Sequence, residues 1–117
     1  VTPADSCATD RTPQVRLRKR EHPEAYEELL DAANWYDDEQ LGLGEDFLDA
    51  IEDSVAQLLD WPNIAHVYPG WNREPVVQQR TMKMFPYQIL YYIADSYLVV
   101  VAYAHNSRKP GYWKDRI

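Results

Sequence analysis

The sequence predicts an α+β fold, with an antiparallel helical hairpin laid on one face of an antiparallel sheet in the order β-α-α-β-β-β. Three observations predict it. Two consecutive segments carry apolar residues at helical spacing, and the link between them is short and rich in glycine. Three strand-length apolar runs then follow with no helical pattern among them, which reads as a meander and gives two layers in all.

The 117 residues fit one domain, read as 14–117 behind an N-terminal tail, 1–13, that holds two prolines, no periodicity and the sole cysteine, Cys7. In Gln14 to Glu21, Val15 and Leu17 alternate with Arg16 and Arg18, the period of a strand. Its basic run, 16–20, suits either nucleic-acid contact or an edge strand guarded by charge. His22-Pro23-Glu24 opens the first helix, since proline fits the first turn and acids complement the positive helix end. Tyr26, Leu29, Leu30, Ala33 and Tyr36 form its apolar stripe. Leu41-Gly42-Leu43-Gly44 turns the chain, and a second helix from Glu45 to Asp60 presents Phe47, Leu48, Ile51, Val55, Leu58 and Leu59 before Trp61-Pro62 stops it. Residues 63–75 read as loop. Strands are expected at Val76–Phe85, Tyr87–Ala94 and Tyr97–His105. The last is apolar on both faces and therefore interior to the sheet.

Charge is distributed unevenly. Residues 21–60 hold fourteen acids and no Lys or Arg, whereas residues 1–20 carry +3 and residues 61–117 carry +4. The acidic hairpin is thus unsuited to phosphate, and nucleic acid would meet only residues 16–20 and 80–109. A single cysteine excludes a disulfide scaffold. The longest uncharged apolar run, residues 97–104, is far short of the roughly 20 residues that span a bilayer, and no signal peptide is visible, so a cytoplasmic protein is expected. His22, His66 and His105 are scattered with no ligand spacing, so neither metal nor cofactor is expected.

Three segments carry a resemblance. Ala25 to Phe47, with Glu24 before it (EAYEELLDAANWYDDEQLGLGEDF), has a helix, an aromatic pair, a Gly-x-Gly turn and a helix. Arg80 to Tyr92 (RTMKMFPYQILYY) has a basic strand, a Phe-Pro-Tyr turn and an aromatic strand. Ala104 to Trp113 (AHNSRKPGYW) ends in His-x-x-Arg-x-Pro-x-x-Trp. In this order the chain resembles the ParE/RelE toxin superfamily of type II toxin–antitoxin systems. The resemblance implies a bacterial toxin, of a class known for plasmid stabilisation, bound by a cognate antitoxin in a hetero-oligomer. ParE-like members poison DNA gyrase without a known reaction of their own, and RelE-like members cut mRNA in the ribosome. The long hairpin and the Phe-Pro-Tyr turn look more like the ParE side. The family's ending often has paired arginines, and Ser107 stands at the first of those positions.

Metal-free RNA cleavage requires a base, a cation for the developing charge and an acid. Arg80, Lys83, His105 and Arg108 are the candidates for an endoribonuclease, although strand parity sets Arg80 and Lys83 on opposite sides. For partner binding the candidates are Arg80, Lys83, Tyr87, Arg108, Lys109, Tyr112 and Trp113, a basic and aromatic surface that suits an acidic or amphipathic antitoxin segment. Tyr87, Tyr91 and Tyr92 are expected to pack against the helices, and Trp113 to cover the core edge. Three functions stay open: a ParE-like toxin, a ribosome-dependent endoribonuclease, and a non-toxic relative that keeps the antitoxin-binding surface.

Overall fold

The computed structural model describes residues 16–117; the tail 1–13, with Cys7, and the start of the expected first strand lie outside them. The elements are β1 (Arg18–Glu21), α1 (Pro23–Glu39), α2 (Leu43–Asp60), a 3-10 turn (Pro62–Ile64), β2 (His66–Val67), β3 (Gln78–Thr81), β4 (Tyr87–Ala94), β5 (Tyr97–His105) and a 3-10 turn at Lys114–Arg116. The α+β class, the helical hairpin after an N-terminal strand and the β3-β4-β5 meander are as the sequence predicts.

The sheet itself differs in two respects. Among the described residues it has five strands in the order β1-β5-β4-β3-β2, and β1 runs parallel to β5, so the sheet is mixed. Alternation of Val15 and Leu17 is the same for either direction, which is why strand polarity was invisible in the sequence. The extra strand, β2, pairs antiparallel with β3 inside the segment read as loop; two residues leave no periodic signal. The expected strand 76–85 shortens to β3 because Met82 and Phe85 both turn into the core, taking residues 82–86 off the ladder.

Helix α1 starts where His22 caps it: its Nδ1 accepts from the Glu24 N–H at 3.1 Å, and Pro23 occupies the first turn. Its buried row is Ala25, Leu29, Ala32, Ala33 and Tyr36. Tyr26 and Leu30, expected in the stripe, are 49% and 40% exposed. Alanine allows the closest approach of backbones, so the alanine row turns inward and the larger pair lies on the flank. The hairpin closes through Gly42, whose φ of +90° suits glycine, and through Asp37, whose Oδ1 accepts the Gly44 N–H at 2.7 Å. A side chain of α1 thereby caps α2. The two-residue Asp95-Ser96 hairpin works without glycine because Asp95 accepts a φ of 56°.

Strand β5 carries an irregularity that decides which of its side chains face the helices. Leu90 pairs with Ala102 but Tyr91 pairs with Val100, so Val101 is an extra residue, a β-bulge. On the turn side of it Leu98 and Val100 face the helices. Past it the parity flips, and Tyr103 faces them instead. Val101, Ala102 and Ala104 join Val77, Leu90 and Trp113 on the opposite face. The molecule thus has two cores. The larger lies under the helices, where Phe47, Leu58, Ile89 and Tyr91 are fully buried, each contributing about 1.5–3 kcal/mol. The smaller lies across the sheet, where Trp113 meets Tyr68 and Trp71 ring to ring, at 5.0 and 5.5 Å.

Candidate partner-binding groove

Because the bulge turns Tyr103 and His105 toward the helices, the open end of β5 faces α1 across a groove of about 450 Å³. Glu28, Asp31 and Trp35 on α1 form one wall, and His105, Ser107 and Arg108 form the other. Tyr36 and Tyr87 lie between them. The floor is aromatic: Tyr87 meets Tyr36, Phe47 and His105 edge to face at 6.3, 5.0 and 5.1 Å. Burial first, then the nearby Tyr36 and Glu28, push the Tyr87 phenol up from its ordinary value, with Arg108 acting against them. The His105 Nδ1 accepts from the Ser107 N–H at 3.0 Å, which fixes the ring at the start of the C-terminal turn.

One end of the groove is built around Glu28. Beyond the last residue of β1 the edge of β5 has no neighbouring strand among the described residues, and side chains satisfy it instead. Glu28 Oε1 accepts the Tyr103 N–H at 3.2 Å, while Arg116 donates to the Val101 carbonyl at 3.0 Å. Arg116 also donates to both oxygens of Glu28, at 3.1 and 3.0 Å, and Tyr112 Oη donates to Oε2 at 2.6 Å. Burial pushes the Tyr112 phenol up, and its bond to Glu28 pushes it further. Burial alone would lower Arg116, but the hydrogen bonds and charge of Glu28, with Tyr112 and Glu24, hold it above its ordinary value. This cluster pins the C-terminal tail to α1. Arg108 in turn lies over the Tyr112 ring, 3.9 Å from its centroid.

Of the residues singled out in the sequence, the groove assembles Tyr87, His105 and Arg108, with Tyr112 under the guanidinium and Lys109 exposed beside it. Arg80 and Lys83 are elsewhere. Arg80 faces α2 and donates to Gln57 Oε1 at 3.2 Å, and Lys83 is exposed in the turn after β3 rather than on the far face of a strand. Two expectations are corrected. Trp113 is 1% exposed within the second core, so its ring offers no face to a partner in this structure. Tyr92 packs with that second core instead of the helices, since it alternates with Tyr91. The 16–20 run reads as a guarded edge: β1 is terminal in the sheet, Arg16 pairs with Asp60 at 3.0 Å, Lys19 with Glu21 at 3.6 Å, and Arg20 lies over Tyr97. Sequence reasoning missed Glu28, Asp31, Trp35 and Arg116. Nothing in the chain distinguishes Glu28 from the other acids of α1, or marks Arg116 as its partner.

Chemically the groove is amphoteric. Two carboxylates stand opposite one guanidinium and one imidazole. That is a poor cradle for polyphosphate, which gathers several cations at one place, and a good socket for protein side chains. Among the described residues no cluster of His, Cys, Asp and Glu has the make-up of a metal site, and no helix is long and apolar enough to cross a membrane.

No protein-family model matches the sequence, and no curated protein matches it. Among solved structures the chain is similar to one from the chromosomal ParDE TA system of P. aeruginosa. The TM-score is 0.59 at 16% identity, over 77% of this chain and 96% of that one. At that identity the likeness is one of fold.

Proposed function

We propose that this chain is the toxin component of a type II toxin–antitoxin system. It is ParE-like and cytoplasmic, acts by binding a protein target such as DNA gyrase, and is silenced by a cognate antitoxin. The observation that carries the reading is the fold, a helical hairpin on a sheet shared with a chain of a ParDE TA system over nearly the whole length of that chain. The dispersal of cations favours binding over RNA cleavage, because Arg80 and Lys83 do not line the groove that holds His105 and Arg108. The antitoxin is assigned to the basic and aromatic rim at Tyr87, Arg108, Lys109 and Tyr112. Expression without a partner should arrest growth, and the purified chain should inhibit gyrase supercoiling. A harmless chain would leave the non-toxic, antitoxin-binding relative. Full toxicity with untouched gyrase would reject the target.

A ribosome-dependent endoribonuclease is the second reading, supported by His105 and Arg108 sharing one groove. It requires that Arg80→Ala, His105→Ala or Arg108→Ala abolish mRNA cleavage on ribosomes. Retained toxicity in all three removes it.

A further inference from the structure

Helices α1 and α2 together carry thirteen acids and no Lys or Arg. On α1 some of these acids have structural work: Glu24 and Glu28 hold Arg116, and Asp37 caps α2. Glu27, Asp31 and Asp38 form no salt bridge among the described residues, and all three are exposed. Glu27, Asp31 and Trp35 succeed one another at four-residue spacing, so they share one row along the helix. Asp31 and Trp35 are at the same time one wall of the groove. Trp35 is 57% exposed and meets Tyr36 edge to face at 5.1 Å. An indole left open beside aromatic rings, on a helix charged with one sign, has the character of an interface and not of a solvated face.

The geometry points to this row and the groove beside it as a docking slot for a basic amphipathic helix. The apolar side of such a helix would cover Trp35 and Tyr87, and its Lys or Arg side chains would meet Asp31, Glu27 and Asp38. The slot shares Tyr87 and Arg108 with the rim assigned to the antitoxin, but its α1 wall calls for an occupant of the opposite charge, so it goes beyond the proposed function and stands whether or not gyrase is the target. Charge complementarity selects the occupant: an acidic segment would face uncompensated carboxylates, and a second copy of this chain would bring another α1 of the same sign. Arg108 on the far wall sets direction, because an occupant with one acid at the matching position docks in one orientation only.

The test uses two synthetic helical peptides with the same leucine face, one carrying Lys and the other Glu on its polar face. Each is titrated into the full chain with amide chemical shifts as the readout. The Lys peptide should shift Asp31, Ala32, Trp35 and Ser107, and its binding should weaken as salt rises. The Glu peptide should bind at least about tenfold more weakly. Asp31→Lys should cost the Lys peptide about five- to tenfold in affinity, and Trp35→Ala a similar factor. Asp53→Lys on α2 is the folded control, matched in charge change and predicted to bind nearly as the parent does. Equal binding of both peptides, shifts confined to other surfaces, no binding of either, or self-association through this face in sedimentation would each overturn the assignment.

Discussion

Substituting Gly44 by alanine tests the hairpin on which the groove depends. A Cβ added there falls 2.3 Å from the Ala33 carbonyl oxygen and 2.7 Å from the Asp37 carboxyl carbon. Ordinary contact needs roughly a further ångström, and the nearer obstacle is backbone, so α1 and α2 must separate by about that much. Overpacking of this kind costs typically about 1–3 kcal/mol. The Asp37 to Gly44 hydrogen bond stretches with it, and a bond to a charged acceptor is worth about 1.5–3 kcal/mol when fully lost. Alanine returns up to about 1 kcal/mol through helix propensity. The expected net loss is about 2–4 kcal/mol, or a fall in Tm of about 10–25 °C for a domain near 100 residues. Urea unfolding and thermal melts followed by circular dichroism measure it. A variant within about 0.5 kcal/mol of the parent would refute the close approach of the helices.

Trp113→Ala should cost about 3–5 kcal/mol in urea unfolding, as a large ring leaves the second core; a surface residue would cost almost nothing. Glu28→Ala leaves Arg116, whose side chain is only 10% exposed, with Glu24 as its remaining carboxylate, and should cost about 1.5–3 kcal/mol, with faster amide exchange at Tyr103 as the specific sign. Burial pushes the Tyr91 phenol up to about 12, and burial holds Tyr103 and Tyr112 above their ordinary values too. In the folded state these groups keep their protons longer than in the unfolded chain. Their contribution is therefore complete below about pH 10 and is lost as pH rises toward about 12 and beyond. The tyrosinate absorbance contributed by these buried rings should climb in step with unfolding above pH 10, and a Tyr91 that titrates like free tyrosine in the folded protein would contradict its buried placement.

The helices were legible because burial at a period of 3.6 leaves its mark on both sides of the chain, as Phe47, Ile51, Val55 and Leu58 show. The face of α1 was legible only in part, since small residues win the closest contacts while hydrophobicity favours large ones; hence Ala32 faces inward and Leu30 outward. The aromatic layer across the sheet was marked by Tyr68, Trp71 and Trp113, but loop residues follow no period that assigns them a face. The groove was legible on its β side, where His105, Arg108 and Tyr87 stand out chemically. It was not legible on its α1 side, because a carboxylate that holds a tail and one that faces water are the same letter. The bulge left no trace either: a run of Val, Ala and Tyr reads alike with or without an inserted residue.

That one surplus residue in β5 makes the groove a matter of counting. Were Val101 drawn into a regular ladder, the hairpin, the turn and the letters of the strand would all be kept, yet strict alternation from Val100 would send the Tyr103 ring and the His105 imidazole through the sheet to the side of Trp113. Two chains of this architecture can therefore share their letters near the C-terminus and differ in where those letters point. Whether the ladder steps over Val101 or takes it in is what tells them apart.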